Sequence, residues 1–157
     1  MSDRTPPPAD RSRLWQNVNQ AATEGLFKLQ VCAACHCVQY PPQEFCGQCL
    51  ADDLAWENVN PLGKVLSWTT THASTNQFFK GVLPFHVGMI KLNCGPVMVA
   101  YLAASCLQSG SRVQVTGAPD KSGQIVFFAA PADLDLTTEF SDILMENAGS
   151  QHSGPGE

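Results

Sequence analysis

Apolar residues near the start of the chain recur at a helical spacing. The recurring positions are Leu14, Trp15, Val18 and Ala21 or Ala22. Intervals of three to four residues place apolar side chains on one face of an α-helix. Asp10 is a suitable N-cap and Gly25 stands where a helix would stop, so the pattern predicts one amphipathic helix of about 14 residues. This helix either covers the core of its own domain or docks on a partner, with Trp15 as the candidate contact.

A strand-like pattern replaces the helical one between Trp56 and Pro131. The predicted strands are Lys64 to Thr71, Phe85 to Leu92, Val97 to Leu102, Arg112 to Thr116 and Gln124 to Ala129. Turn residues at 93–96 and 120–123 separate some of them. Five short strands are too few for two stacked sheets of useful size, whereas they suit a small closed barrel. A five-stranded Greek-key barrel is the OB-fold.

The longest interruption between the predicted strands, residues 72–84, carries an aromatic and basic cluster. It contains Phe78, Phe79 and Lys80, and Phe85 begins the next strand. In an OB-fold the loop after the first strand borders the binding face. These four residues, with Trp15, are therefore the candidate ligand or partner contacts.

Two Cys-x-x-Cys pairs precede the barrel. Cys32 and Cys35 form the first pair, Cys46 and Cys49 form the second, and ten residues separate the pairs. Two such knuckles facing each other supply the four thiolates that Zn²⁺ prefers in a tetrahedral site. The same sulfur set also accepts iron. The approaches to the knuckles are extended, so this segment is predicted to be a zinc ribbon.

The other three cysteines are expected to be bystanders. Cys37 lies beside the first knuckle, where either it or His36 offers an alternative ligand, but the Cys-x-x-Cys spacing favours Cys32 with Cys35. Cys94 and Cys106 lie in apolar sequence, where cysteine usually behaves as a small buried hydrophobe. A metal held by four sulfurs has no open position for water, so the metal is expected to be structural.

Composition and charge narrow the class of protein. The chain has 157 residues, of which 44% are hydrophobic and 15% are charged, so it folds rather than remaining a polar coil. The net charge of −5 argues against a general nucleic-acid binder, whose affinity depends on Lys and Arg. Charge is uneven, since residues 55–131 carry a net +3 while residues 132–157 hold six acidic groups and no basic one. The last segment is predicted to be a weakly structured tail.

The sequence contains no recognised catalytic motif and no motif typical of a membrane span. The sequence has no Gly-x-Ser-x-Gly elbow, phosphate-binding loop or His-Glu-x-x-His helix, so no catalytic residue is assigned. No apolar run approaches the ~18 residues of a membrane span, and the first residues lack the apolar core of a secretory signal. The expectation is a soluble cytoplasmic protein without a membrane partner.

The order of these motifs resembles the DUF35 family. The matching features are Leu29 to Cys35, Tyr40-Pro41-Pro42, Cys46 to Cys49, Trp56, Gly63-Lys64-Val65 leading into Ser67-Trp68-Thr69, Leu83-Pro84-Phe85, Gly110 to Val113, and Phe128 with Pro131. The sequence departs from the family pattern at His36, where the family commonly has glycine, and at Ala129-Ala130, which lengthen the terminal Phe-x-Pro by one residue. The resemblance covers roughly residues 14–131 and implies a rubredoxin-like zinc ribbon followed by an OB-fold.

The resemblance also implies a function. Proteins of this family are typically accessory subunits of thiolase-like enzymes that make or break C–C bonds in acyl-CoA thioesters, and the catalytic residues belong to the partner. By this resemblance the chain is expected to support assembly with a thiolase-like subunit and to shape the CoA or acyl site. It would form a hetero-oligomer and would not be an enzyme by itself.

Two other functions stay open on the sequence. Zinc ribbons and OB-folds also bind single-stranded nucleic acid, although the small positive charge of the barrel region argues against tight binding. A free-standing acyl-CoA-binding protein is the other alternative. In either case the predicted organisation is mainly β: an arm and helix at 1–25, a zinc ribbon at 26–54, an OB-fold at 55–131 and an acidic tail at 132–157.

Overall fold

A computed structural model describes residues 12–145 of the chain. The helices are α1 (Arg13–Thr23), α2 (Gln77–Lys80) and α3 (Leu136–Glu139), and the strands are β1 (Lys28–Cys32), β2 (Val38–Gln39), β3 (Leu54–Asn58), β4 (Leu62–Thr71), β5 (Phe85–Leu92), β6 (Val97–Leu102), β7 (Arg112–Pro119) and β8 (Ile125–Ala130). The prediction of a mainly β protein with an N-terminal helix is confirmed. Within the described residues, none of the helices has the length and hydropathy needed to cross a bilayer.

Helix α1 ends at Thr23, two residues before Gly25, the glycine predicted to stop it. Gly25 has a φ of 74°, a left-handed conformation that costs glycine little because it has no Cβ. Its backbone N–H donates to the carbonyl of Ala22, and the N–H of Leu26 donates to that of Ala21 at 2.8 Å. This pair of bonds satisfies carbonyls that the helix leaves free at its C-terminus. The predicted cap Asp10 lies outside the described residues.

The apolar face of α1 packs on the barrel. Val18 and Ala21 are buried, and Ala22 lies against Gly117 of β7. A Cβ added at Gly117 would lie 2.9 Å from the Cβ of Ala22, closer than real Cβ contacts allow. The absence of a side chain at Gly117 therefore sets how closely the helix approaches the strand. Of the two roles considered for this helix, covering the core of its own chain is the one the packing shows.

Gly117→Ala is expected to destabilise the protein by about 1–3 kcal/mol, because the new methyl group overpacks the contact between α1 and β7. Urea unfolding of the wild type, Gly117→Ala, Ala22→Gly and the double variant measures this. The double variant should lose less stability than the two single losses added together, since removing the Ala22 methyl relieves the clash. Simple additivity would show that the helix does not rest on Gly117.

The cysteine-rich segment forms a three-stranded antiparallel sheet in the order β2-β1-β3. Strand β3 pairs with β1 along its whole length, from Lys28 opposite Asn58 to Cys32 opposite Leu54. The sequence pattern did not predict β3, and the boundary placed after residue 54 falls at its start. The ribbon sheet therefore extends to Asn58, and three residues separate it from the start of β4.

Strands β4 to β8 close into a five-stranded barrel in the order β4-β5-β6-β8-β7. The neighbours are antiparallel except β6 and β8, which run parallel and pair only at Tyr101 with Phe128 and at Leu102 with Ala129. Alternate residues point inward, and their side chains form the core. Buried core residues include Val65, Ile90, Leu92, Met98, Leu102, Val113, Val115 and Phe127. The predicted OB-fold is confirmed.

The acidic segment after the barrel is structured as far as residue 145, which corrects the expectation of a weakly structured tail from residue 132. Phe140 and Ile143 are buried against Phe128, and Leu144 forms a bridge with Asp120. Asp135 caps α3, and its side chain accepts hydrogen bonds from Thr137 and Thr138 that lower its pKa. The acidic composition of this segment favoured a tail, although it contains two apolar residues, Phe140 and Ile143, that become buried. The rest of the predicted tail, residues 146–157, lies outside the described residues.

Candidate functional site

Four cysteine sulfurs converge at one end of the ribbon. The Sγ atoms of Cys32, Cys35, Cys46 and Cys49 all lie within 4.8 Å of one another. Cys32 and Cys49 are separated by 3.6 Å, and Cys35 and Cys46 by 3.5 Å. A tetrahedral site with Zn–S bonds of ~2.3 Å has sulfur–sulfur edges of about 3.8 Å, so the cluster has the dimensions of such a site. The four cysteines are positioned to bind a metal.

Each knuckle turns its two sulfurs toward the same point by one backbone hydrogen bond. The N–H of His36 donates to the carbonyl of Cys32 at 2.8 Å, and the N–H of Leu50 donates to that of Cys46 at 2.9 Å. Both donors are in the left-handed region, with φ of 61° for His36 and 65° for Leu50. Glycine adopts this conformation at least cost. His36 nevertheless adopts this conformation and donates the hydrogen bond that closes the first knuckle, so the departure from glycine leaves the shape of the knuckle intact.

The second knuckle stabilises a thiolate. Backbone N–H groups of Cys49 and Gln48 donate hydrogen bonds to the sulfur of Cys46 and lower its pKa to about 6. Hydrogen bonds to the charged form favour deprotonation. Because a metal binds the thiolate and not the thiol, these hydrogen bonds favour the form of Cys46 that coordinates a metal.

Two buried glutamines, which the sequence pattern did not single out, hold the second knuckle against the hairpin. Gln30 and Gln39 face each other across β1 and β2. The side chain of Gln30 donates to the carbonyl of Gln43 and accepts from its N–H, both at 2.8 Å. Gln39 accepts from the N–H of Gly47 and donates to the carbonyl of Phe45. The sequence alone does not indicate that these two glutamines are buried, because glutamine is mostly exposed in proteins.

The three remaining cysteines lie apart from the sulfur cluster. The thiol of Cys37 is directed to the carbonyl of Val38 at 3.6 Å, and Cys106 is buried in the barrel core. Cys94 is half-buried, and desolvation raises the pKa of its thiol. Cys37 and Cys94 both line one cleft between the ribbon and the β5–β6 turn. Their predicted status as bystanders stays a prediction.

An open apolar cavity of about 430 Å³ lies where α1, the ribbon and the barrel meet. Three of the five predicted contact residues line it: Trp15, Phe79 and Phe85. Phe78 is outside the lining and packs edge-on against Phe79, with ring centroids 5.3 Å apart. Lys80 is exposed at the end of α2 and does not line the cavity.

Tyr40 and Tyr101 complete the aromatic lining, and sequence reasoning missed both in this role. The sequence pattern places Tyr40 in the ribbon and gives no sign that its ring lies 5.7 Å from that of Trp15. Tyr101 lies on β6 opposite Val87, and its ring is 5.4 Å from that of Phe85. Burial, with the charge of Asp120 as a second cause, raises the pKa of Tyr101 to about 12. The residues that meet here are up to about a hundred positions apart in sequence, so no local motif marks the site.

Comparison with known families assigns both modules of the chain. Residues 20–55 match the rubredoxin-like zinc ribbon domain of ChsH2, and residues 56–118 match the C-terminal OB-fold domain of ChsH2. The chain belongs to the DUF35 family. The two family matches meet between residues 55 and 56, and together they cover the ribbon and most of the barrel.

Solved structures of DUF35 proteins share the fold of this family member. A chain described as "Ltp2-ChsH2(DUF35) aldolase" is 24% identical, with a TM-score of 0.67, over 80% of this chain and 99% of that one. A DUF35 protein of unknown function from Sulfolobus solfataricus is 12% identical, with a TM-score of 0.51, over 76% of this chain and 87% of that one. No protein with a curated description matches the sequence. Both likenesses span at least three quarters of this chain and show a shared fold.

Proposed function

We propose that this DUF35 protein is a noncatalytic accessory subunit of a thiolase-like complex, a thiolase or an aldolase, that makes or breaks C–C bonds in acyl-CoA thioesters. It supports assembly of the catalytic partner and shapes the acyl site. The ChsH2 family matches and the aldolase named in the description of the similar structure support this assignment. The proposed location is the cytoplasm.

The observation that carries the proposal is a set of exposed apolar side chains on the barrel strands. Large apolar side chains remain exposed on three adjacent strands: Leu62, Leu66 and Trp68 on β4, Met89 on β5 and Val99 on β6. Met89 and Val99 are direct cross-strand neighbours. Exposed apolar residues on neighbouring strands mark interaction surfaces more often than isolated ones do. We call this set the barrel face and assign it to the partner subunit.

Zinc in the four-cysteine site is proposed to be structural. Cys32, Cys35, Cys46 and Cys49 would fill all four positions of a tetrahedral zinc ion and leave none for water or substrate. The metal would therefore supply folding energy to the ribbon rather than catalysis. Elemental analysis of the purified chain distinguishes zinc from iron, which the same four thiolates accept.

Contact with the acyl-CoA ligand is proposed for the cavity and its rim. The cavity is lined by Trp15, Phe79 and Phe85, and Phe78 packs edge-on against Phe79. Lys80, exposed beside them, is the proposed contact for a phosphate of CoA. The catalytic cysteine and histidine residues expected of a thiolase-like enzyme would be those of the partner.

Co-expression with a thiolase-like chain from the same source tests the proposal. The two chains should copurify, and the complex should cleave or form a C–C bond in an acyl-CoA thioester at a rate that neither chain reaches alone. In the Leu66→Lys/Trp68→Lys double variant, copurification should fall by at least about tenfold, because two charges would have to be desolvated at the interface. Pull-down with quantitative mass spectrometry measures the loss.

The control is Leu50→Lys, which changes a more exposed apolar side chain on the ribbon, away from the barrel face. Its copurification and its unfolding temperature should match those of the wild type. Full activity of the partner without this chain would refute the accessory role. Tight binding of single-stranded DNA that weakens steeply with salt would instead favour a nucleic-acid-binding module.

A further inference from the structure

The apolar cavity lies at the seam between β6 and β8, where fewer residues pair than between any other two neighbouring strands of the described barrel. Strands β6 and β8 pair at Tyr101 with Phe128 and at Leu102 with Ala129, and at no earlier position. The residues that directly precede these pairs, Ala100 on β6 and Phe127 on β8, both line the cavity. The cavity therefore enters the gap where the two parallel strands diverge.

Aromatic rings form two walls beside this gap. Trp15 of α1 and Tyr40 of the ribbon meet edge-to-face on one side, with centroids 5.7 Å apart. On the other side Phe85 contacts Phe79 at 5.9 Å and Tyr101 at 5.4 Å. All three parts of the protein thus contribute to one lining. A bound group would touch the helix, the ribbon and the barrel together.

The lining carries no charged side chain among the described residues. Its polar side-chain atoms belong to Ser74, the two tyrosines and Trp15, and the other lining residues are apolar. The raised pKa of Tyr101 keeps its hydroxyl neutral across the physiological range. A nucleotide with several phosphates would lose its hydration here without gaining a cation, which is strongly unfavourable. The chemistry of the lining therefore selects an uncharged apolar group.

We infer that this cavity binds the hydrocarbon end of a ligand, an uncharged aliphatic or aromatic group. At ~30 Å³ for each water-sized group, 430 Å³ holds on the order of a dozen methylene-sized groups. Resting on the proposed function, this group is the acyl chain of the CoA thioester, while the nucleotide of CoA stays outside. The cavity is then the part of the subunit that distinguishes long acyl chains from short ones.

Isothermal titration of the full chain with octanoyl-CoA, acetyl-CoA and 1-octanol tests the inference. Octanoyl-CoA and 1-octanol should bind and compete with each other, and acetyl-CoA should bind at least about tenfold more weakly than octanoyl-CoA. Failure of both octyl probes to bind would overturn the inference. Binding of octanoyl-CoA and acetyl-CoA with equal affinity would overturn it as well, because the ligand would then be held by its CoA part. Neither result depends on the thiolase-like partner, whose copurification tests the proposed function separately.

Val87→Trp places a larger side chain into the lining and should weaken binding of 1-octanol by about tenfold or more. Phe45→Trp, at an exposed apolar residue of the ribbon outside the lining, is the control and should keep wild-type affinity. Val99→Glu is a second test, since Val99 is 57% exposed at the cavity and tolerates a polar side chain. It should weaken octanol binding without changing the unfolding temperature. Unchanged affinity in both lining variants would show that the octyl group binds elsewhere.

Discussion

Replacing Cys46 by serine is expected to release the metal and unfold the ribbon. Cys46 is fully buried, its sulfur lies 3.5 Å from that of Cys35, and backbone N–H groups favour its thiolate. A serine hydroxyl does not ionise near neutral pH, so one of the four anionic ligands is lost. Structural zinc sites contribute roughly 10–16 kcal/mol of apparent binding free energy, and this energy is folding energy for a segment with so small a core. Elemental analysis and thermal unfolding measure the two losses.

Cys37→Ser is the matched control for this substitution. Cys37 lies on the same ribbon, two residues after a proposed ligand, but its thiol is directed to the carbonyl of Val38. The variant should keep one metal ion per chain and the wild-type unfolding temperature. Full metal content in Cys46→Ser, or metal loss in Cys37→Ser, would mean that the ligand set is different from the four cysteines proposed.

Replacing Phe128 by alanine is expected to destabilise the barrel by about 3–5 kcal/mol. Phe128 is fully buried at the junction between the barrel and the segment after it. Its ring stacks on Tyr101 with centroids 5.5 Å apart and contacts Phe140 at 4.8 Å. Truncation leaves a cavity between these two rings in addition to the lost apolar burial. Urea unfolding followed by circular dichroism gives the free energy of unfolding.

Phe45→Ala serves as the comparison for Phe128→Ala, because Phe45 is 56% exposed on the ribbon. Its loss should change stability by no more than about 0.5 kcal/mol. Limited proteolysis adds a second readout, since Phe128→Ala should expose the segment around Phe140 to cleavage. If this segment stays protected while stability falls, Phe128 supports the barrel alone.

Local sequence patterns were sufficient to predict the four-cysteine cluster and most of the barrel. The spacing of Cys32, Cys35, Cys46 and Cys49 needs no distant information, because each pair closes its own turn. The predicted strands 85–92 and 97–102 match β5 and β6 residue for residue, since alternating burial on one barrel wall gives a clear period of two. The turn residues at 93–96 fixed the ends of both strands.

Two elements could not be predicted because their apolar residues are recognised only through distant partners. Strand β3 lies in an acidic surrounding and is stabilised by pairing with β1, about 25 residues earlier. The segment around α3 has few apolar residues, and Phe140 and Ile143 gain their burial from Phe128. Composition therefore suggested a tail where tertiary contacts make a folded element.

The candidate ligand site was predicted in part for the same reason. Phe79, Phe85 and Trp15 meet at one cavity, as an OB-fold loop and an amphipathic helix allow. Tyr40 joins them because the ribbon folds back onto β8, where its ring lies 6.0 Å from that of Phe127, and Tyr101 joins them from β6 at the seam with β8. The position of that seam depends on barrel closure, which no short sequence window contains.

The third ribbon strand constrains how this protein can be divided in evolution or in the laboratory. The two family matches meet between residues 55 and 56, inside β3, which runs from Leu54 to Asn58. A ribbon fragment that ends at residue 55 would lose the part of β3 that pairs with residues 28–30 of β1 and would expose that edge of the sheet. The barrel fragment would begin with residues 56–58, which would have no strand to pair with. A transferable ribbon must therefore carry its sequence through Asn58. Exchange of either module between relatives is expected to succeed only when the crossover falls in the three residues that link β3 to β4.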